Sequence, residues 1–308
     1  MAGLDLVRLV VGAAFLALAA SSDWRKRIVK DELWIAMGVV GLALFAFDLW
    51  AQGVDPVVGL ILVPAAVLMF DPLIGQEFRT EKGWRFPIGS IAAYAIAVGA
   101  AGYALWDLQA DLASRSTFLR YLTVPVMMLV FRGMYEVHLL KGGADAKGMI
   151  ILSAFVPQYP VLPPFPVIGL DPRLQEALGV LFPFSLLVLL NAALLFAVAP
   201  IAFLALNASR RQVELPMALI GYKVSLDRVP PYVWFMDQIR SGEHVRVYFP
   251  TKRQDRHAIA HELRKAGFRE AWVTPQLPFM IPLAIAYALS FLLGNPLMGL
   301  LQAAMPRP

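Results

Sequence analysis

Asp23 closes an apolar run in SSDWRKRIVKDELW, residues 21–34, and Asp145 opens another in KGGADAKGMI, residues 141–150. Each has an ordinary explanation. Asp23 stands four residues before Arg27, the spacing of a helical ion pair. Asp145 has the place of a helix cap, between lysines that can snorkel. As a pair they offer more. Two carboxylates in a partly dehydrated setting do not readily ionise together, so one keeps its proton. The ionised partner can then activate a water while the protonated one donates to a carbonyl oxygen. Such hydrolysis needs neither metal nor thiol. Gly142 and Gly143 allow backbone conformations that other residues avoid, so the chain can turn sharply before Asp145.

Whether the two aspartates share a site depends on the elements that carry them. The 308 residues are 59% hydrophobic and 16% charged, against about 25% charged in soluble domains. Eight apolar segments are predicted, at roughly 4–21, 33–51, 56–70, 87–106, 117–140, 145–158, 178–206 and 277–296, judged against the ~20 residues a crossing helix needs. The third and sixth are short, and the seventh carries Pro183 and Pro200, where kinks are expected. The first has no basic leading region and is followed at once by Trp24-Arg25-Lys26-Arg27, so it reads as a retained span.

Basic residues alternate between the connecting loops. Arg25, Lys26, Arg27 and Lys30 follow the first segment, Arg79, Lys82 and Arg85 the third, and Lys141 and Lys147 flank the fifth turn. The region after the seventh segment is also rich in lysine and arginine, while the intervening loops are nearly free of both. By the positive-inside rule this predicts eight spans with both termini outside. Asp23 and Asp145 then fall at one depth, on the cytoplasmic face. The expected fold is an all-α polytopic membrane protein with a small α/β cytoplasmic domain before its last helix. Its parts are a membrane core at 1–206, the polar domain at 207–275, and a last span with a short tail at 276–308. In the polar domain 245–249 and 270–274 read as strands, and the stretch between reads as an amphipathic helix ending at Gly267. Its charge, near +5 by residue count, suits anionic lipid headgroups but carries no nucleic-acid motif.

The chain has no cysteine, which excludes disulfides and thiolate chemistry. His257 and His261 lie four apart, but His-Ala-Ile-Ala-His lacks the glutamate of a zinc-protease motif, so no metal site is expected. Arg132 and Glu136 are four apart and expected to neutralise each other, although an intramembrane Glu136 is also a candidate neighbour of the aspartate pair. Asp71 ends the third segment on the same face and is the main rival for a place in the pair, but with Pro72 next it reads as a helix terminus, and Asp48 reads as interfacial. Lys147, if functional, would bias the protonation of the pair or hold a backbone carbonyl.

Gly142-Gly143-Ala144-Asp145-Ala146-Lys147, together with Ser22-Asp23-x-x-x-Arg27-x-Val29, resembles the archaeal preflagellin and type IV prepilin-like signal peptidases, membrane aspartyl proteases of the GxGD group. FPFSLLVLLNA at 182–192, GYKVSLDR at 221–228 and WVTPQLPFMIPL at 272–283 are similar to further stretches of that family. Segments three to five match only in hydrophobicity. Ala144 replaces the second glycine of the strict motif, eight segments stand where six are usual, and the cysteine pairs of the large bacterial enzymes are missing. The resemblance implies Asp23 and Asp145 as catalytic residues, no cofactor, and no methyltransferase activity, since no S-adenosylmethionine site is recognisable. It implies a pilin- or archaellin-like precursor as partner, cut between its short basic leader and its hydrophobic helix at the cytoplasmic membrane face. Presenilin-like and signal-peptide-peptidase-like enzymes share the motif, but pair it with a Tyr-Asp within a span and a Pro-Ala-Leu that this chain lacks. A proton- or cation-coupled transporter is the reading from another class. The oligomeric state is not legible.

Overall fold

The computed structural model of the chain describes residues 2–74, 79–80, 83–84, 87–140, 142–248, 250 and 254–304. Lys82, Arg85 and Lys141, all counted in the predicted charge alternation, lie outside the described residues. The chain divides into two compact units, Met1–Ala193 with Phe279–Pro308, and Leu194–Pro278.

Apolar runs bounded by charges become helices because a helix satisfies its own backbone polar groups where no water can. In the first unit these are α1 (Ala2–Lys26), α2 (Asp31–Ala51), α3 (Leu62–Ile74, led in by a 3-10 turn at Pro56–Ile61), α4 (Ile88–Asp107), α5 (Leu112–Tyr121), α6 (Thr123–Glu136), α7 (Gly143–Phe155), α8 (Pro172–Leu181) and α9 (Phe184–Phe196). A two-residue hairpin, β1 (Arg79–Thr80) with β2 (Gly83–Trp84), follows α3.

Among the described residues, five stretches are long and apolar enough to cross a membrane: α1, α2, α4, Leu112–Glu136 and Phe184–Ser209. Val10, Leu18, Val39, Ile96 and Val98 are exposed on the first three, as a lipid-facing surface requires. Pro56–Asp71 and Met280–Leu292 are apolar but shorter. The eight predicted segments thus correspond to five helices of crossing length and three shorter ones.

The sixth segment is the most instructive. α7 has 13 residues, nine of them buried. At 1.5 Å per residue it covers about 20 Å, less than a hydrocarbon core of about 30 Å. The chain continues in irregular form, and the N–H of Val161 reaches the Asp5 carboxylate near the start of α1, at 2.9 Å. Irregular backbone of this kind is tolerated where protein covers it, and Val156, Pro157 and Pro160 are buried. The fifth segment ends early, since α6 stops at Glu136 and His138 is left-handed.

α7 packs between α2 and α6, and α1 packs against α13 (Met280–Leu292). The α1–α13 approach is close because Gly12 has no side chain. A Cβ there would lie 2.6 Å from Tyr287 Cζ. Trp34, Phe45, Phe131, Phe155, Phe184, Tyr287 and Phe291 are fully buried around these contacts.

The second unit holds α10 (Val198–Ser209), α11 (Met217–Ile220), α12 (Arg256–Lys265) and five strands. β3 (Tyr222–Ser225), β4 (Val233–Phe235) and β7 (Glu270–Pro275) form an antiparallel sheet in the order β3-β7-β4. β5 (Asp237–Arg240) and β6 (Glu243–Arg246) form a hairpin turned by Ser241 and Gly242, both left-handed, as a two-residue hairpin loop demands. Of the strand predicted at 245–249, Val245 and Arg246 lie in β6 and the Val247 N–H donates to Met236 O at 2.7 Å in the same register, while Phe249 lies outside the described residues. α12 is capped by Asp255, whose carboxylate accepts from the N–H groups of His257 and Ala258, and Gly267 follows its end at φ +90. Leu263 and Ala260 pack against Val224, Phe235 and Val273. α10 is tied to this unit by Asn207, whose Nδ2 donates to Ala218 O and Gly221 O. After α13 the chain forms a further helix, α14 (Pro296–Ala304), where a plain tail was expected.

Candidate active site

Asp23 lies in the last turn of α1, and that end is firmly closed. The Arg27 N–H donates to Asp23 O at 3.0 Å, and Arg27 itself is left-handed at φ 55. The Ser22 hydroxyl donates to Ile28 O at 2.7 Å. The Arg27 guanidinium lies 5.9 Å from the Trp24 ring and acts electrostatically on Asp23. The Asp23 carboxylate accepts a hydrogen bond from the backbone N–H of Met280. Met280 opens α13, whose cap residue Phe279 offers no side-chain acceptor. A carboxylate from another helix thus satisfies one of the orphan donors that every helix start exposes.

Asp145 is the third residue of α7. The helix cap is Gly142, in ordinary extended conformation at φ −95, ψ 126, and Gly142 O accepts from Ala146 N–H at 3.2 Å. The glycine is needed for space, and the expectation of an unusual backbone is corrected. The Asp145 carboxylate folds back over Gly142, and a Cβ there would lie 2.7 Å from Asp145 Cγ. Any side chain at position 142 displaces the carboxylate. Ala144 sits within regular helix, so the lack of the second glycine of the strict GxGD motif costs nothing in conformation. Tyr135 comes near Gly143, with its hydroxyl 3.8 Å from where a Cβ would be.

Both aspartate-bearing segments lead to the first turns of α13. Asp23 bonds Met280. One turn beyond Asp145, Gly148 admits the Trp34 ring and the Leu283 side chain: a Cβ there would meet Trp34 Cη2 at 3.2 Å and Leu283 Cδ2 at 3.7 Å. Lys147 does not hold a backbone carbonyl; its Nζ pairs with Asp31 Oδ1 at 2.6 Å.

Glu136 belongs to a different cluster. Arg132 Nε pairs with Glu136 at 3.1 Å, and Arg132 Nη1 reaches Asp71 at 3.4 Å. Tyr94 also hydrogen-bonds Asp71. Asp71 is thus engaged by a cation and a phenol, and it stands in the last turn of α3, which runs on to Ile74 through Pro72. In the second unit His257 lies beside Arg228, Arg256 and Arg264 along one concavity. Among the described residues, no cluster of histidine and carboxylate side chains is arranged to hold a metal.

Sequence reasoning missed Asp31, the Met280 N–H and a buried charge cluster near the start of α1. There Arg8 Nη1 meets Asp5 at 3.1 Å and Arg8 Nη2 meets Asp48 at 3.0 Å, while Arg8 O accepts from the Tyr287 hydroxyl at 2.7 Å. All three charged groups are buried, so Asp48 is paired within the protein. The three-residue spacing of Asp5 and Arg8 was a visible signal, but their partner 40 residues on was not.

No family model matches the chain. It is similar to the preflagellin peptidase of Methanococcus voltae, 21% identical over 96% of this chain and 99% of that protein. It is also similar to an uncharacterized protein of Methanocaldococcus jannaschii, 23% identical over 90% of this chain and 89% of that protein. The likeness spans both aspartate segments and the second unit, and it makes the chain preflagellin-peptidase-like along nearly its whole length.

Proposed function

We propose that the chain is a membrane-embedded aspartyl endopeptidase that removes the short basic leader from archaellin or type IV pilin-like precursors at the cytoplasmic membrane face. The observation that carries this reading is the approach of two separately encoded aspartate segments to the first turns of α13, in a chain similar from end to end to a preflagellin peptidase. One carboxylate, ionised, takes a proton from water as the oxygen attacks the scissile carbonyl. The other, protonated, donates to the carbonyl oxygen, and the tetrahedral intermediate collapses with the proton passing to the leaving amine. Gly142 keeps the space that the Asp145 carboxylate occupies. Asp23 is held between the Arg27 guanidinium and the Met280 N–H. The apolar faces of the long helices suit a precursor helix that stays in lipid while its leader stays in water.

The test is incubation of the purified chain, in liposomes, with an archaellin precursor, followed by mass determination of the products. Cleavage between leader and hydrophobic helix is expected. Cleavage inside the hydrophobic helix would replace this reading with that of a presenilin-like protease. Intact precursor, together with proton or cation flux that depends on Asp145, would replace it with transport.

A further inference from the structure

Lys147 and Asp31 are 116 residues apart in sequence, and their side chains meet at 2.6 Å. Lys147 is two residues past Asp145, near the start of α7. Asp31 is the first residue of α2 and follows the closed turn in which Arg27 N–H and the Ser22 hydroxyl fix the end of α1. The contact therefore bridges the short segment that carries Asp145 and the turn that carries Asp23. Asp31 stands in the first turn of α2, where a carboxylate suits the helix dipole, but a cation near the positive end of α7 gains nothing from its own helix, so Lys147 is the residue that the contact explains.

We propose that the Lys147–Asp31 pair is a strap that sets the start of α7 against the α1–α2 turn, and so fixes the distance between the Asp145 and Asp23 carboxylates. Both are positioning residues, acting on the aspartates through the backbone and not through the reaction. The functional half of this inference rests on the aspartyl-peptidase reading, while the geometric half stands without it. The pair is partly exposed, at 24% and 49% of the two side chains, so its worth to global stability is small. Its leverage is local, because a carboxylate pair must meet both water and carbonyl within a fraction of an ångström, and a misplacement of about 1 Å can cost a hundredfold in rate.

The absence of cysteine allows the strap to be measured directly. Spin labels at Ile28→Cys and Leu139→Cys, both exposed positions, report the distance between the α1–α2 turn and the approach to α7. Lys147→Met and Asp31→Asn should each broaden or shift this distance. They should also lower kcat on a precursor at least about fivefold, with KM unchanged. The double variant should be no worse than either single one. The exchanged pair, Asp31→Lys with Lys147→Asp, should restore both the distance and most of kcat, which a nonspecific loss of folding would not do. An unchanged distance in both single variants overturns the proposal. So does Asp31→Asn at full activity beside a crippled Lys147→Met, since Lys147 would then act without Asp31. Should the wild type cut no precursor, the peptidase reading fails, and the spin-label distances still decide the strap.

Discussion

The two ends of α1 treat their carboxylates in opposite ways. Near its start, Asp5 and Asp48 are buried and share one guanidinium, and the second Asp5 oxygen is taken by a backbone N–H. Some 27 Å along the helix, by 1.5 Å per residue, Asp23 instead receives the N–H of Met280, with Arg27 nearby, and Asp145 lies over a glycine that leaves it room. Burying a charge obliges the protein to pair it, and a fully paired carboxylate is a poor acid or base. The Arg8 cluster joins α1, α2, the stretch after α7 and, through Tyr287, α13, and its chemistry is finished on folding. At the other end Asp23 has one backbone donor and a nearby guanidinium, and Asp145 has the room that Gly142 leaves it. On the proposed peptidase reading, charge alone does not separate a structural carboxylate from a working one; the surroundings do.

The contrast can be broken by exchanging consequences between the two ends. The largest effect expected is on activity. Asp23→Asn or Asp145→Asn should lower leader removal by about a thousandfold or more, with folding intact, whereas Asp5→Asn or Asp48→Asn should leave the chemistry standing in the protein that folds. Next, Arg8→Met strands two buried carboxylates and should cost about 3–5 kcal/mol, read as a lower thermal midpoint in detergent. Neutralising the cluster as a whole (Asp5→Asn, Arg8→Met and Asp48→Asn together) should recover most of that loss. Gly142→Ala should displace the Asp145 carboxylate and lower kcat about a hundredfold, while stability changes by no more than about 1 kcal/mol.

The smallest effect lies in the second unit. Lys223 hydrogen-bonds Glu214 at 2.8 Å and Arg246 meets its other oxygen at 2.8 Å, which holds the Glu214 carboxyl below the usual range. A lowered pKa in the folded state contributes stability above the ordinary glutamate pKa, and that contribution is lost as pH falls through the lowered value. Glu214→Gln should therefore cost about 0.2–1 kcal/mol near neutrality, and the difference from wild type should vanish in acid. Thermal melting across pH checks this.

Much of the local structure was legible in the sequence. The amphipathic run that ends at Gly267 marks α12, although its cap at Asp255 was not foreseen. Arg132 and Glu136 pair at their helical spacing, and Asp23 and Asp145 fall at helix ends because apolar runs stop there. What was not legible lies between elements. Hydrophobicity gives segment six the same signal whether it crosses as a helix or, as α7 does, stops after 13 residues and finishes as covered irregular chain. The partner of Lys147 depends on the register of α7 against α2, and that of Arg8 on the register of α1 against α2. The role of Gly142 was misjudged for a related reason: a glycine needed for a close approach looks the same in sequence as one needed for a left-handed turn.

On the proposed function, Asp23 and Asp145 act as one unit. The most direct test is the rate of leader removal by the wild type, by Asp23→Asn, by Asp145→Asn and by the double variant, under one set of conditions. Residues that share a chemical step are strongly non-additive. Each single substitution should remove nearly all activity, and the double variant should lose nothing more. Two partial losses that multiply in the double variant, or either single variant cutting at the wild-type rate, would contradict this reading.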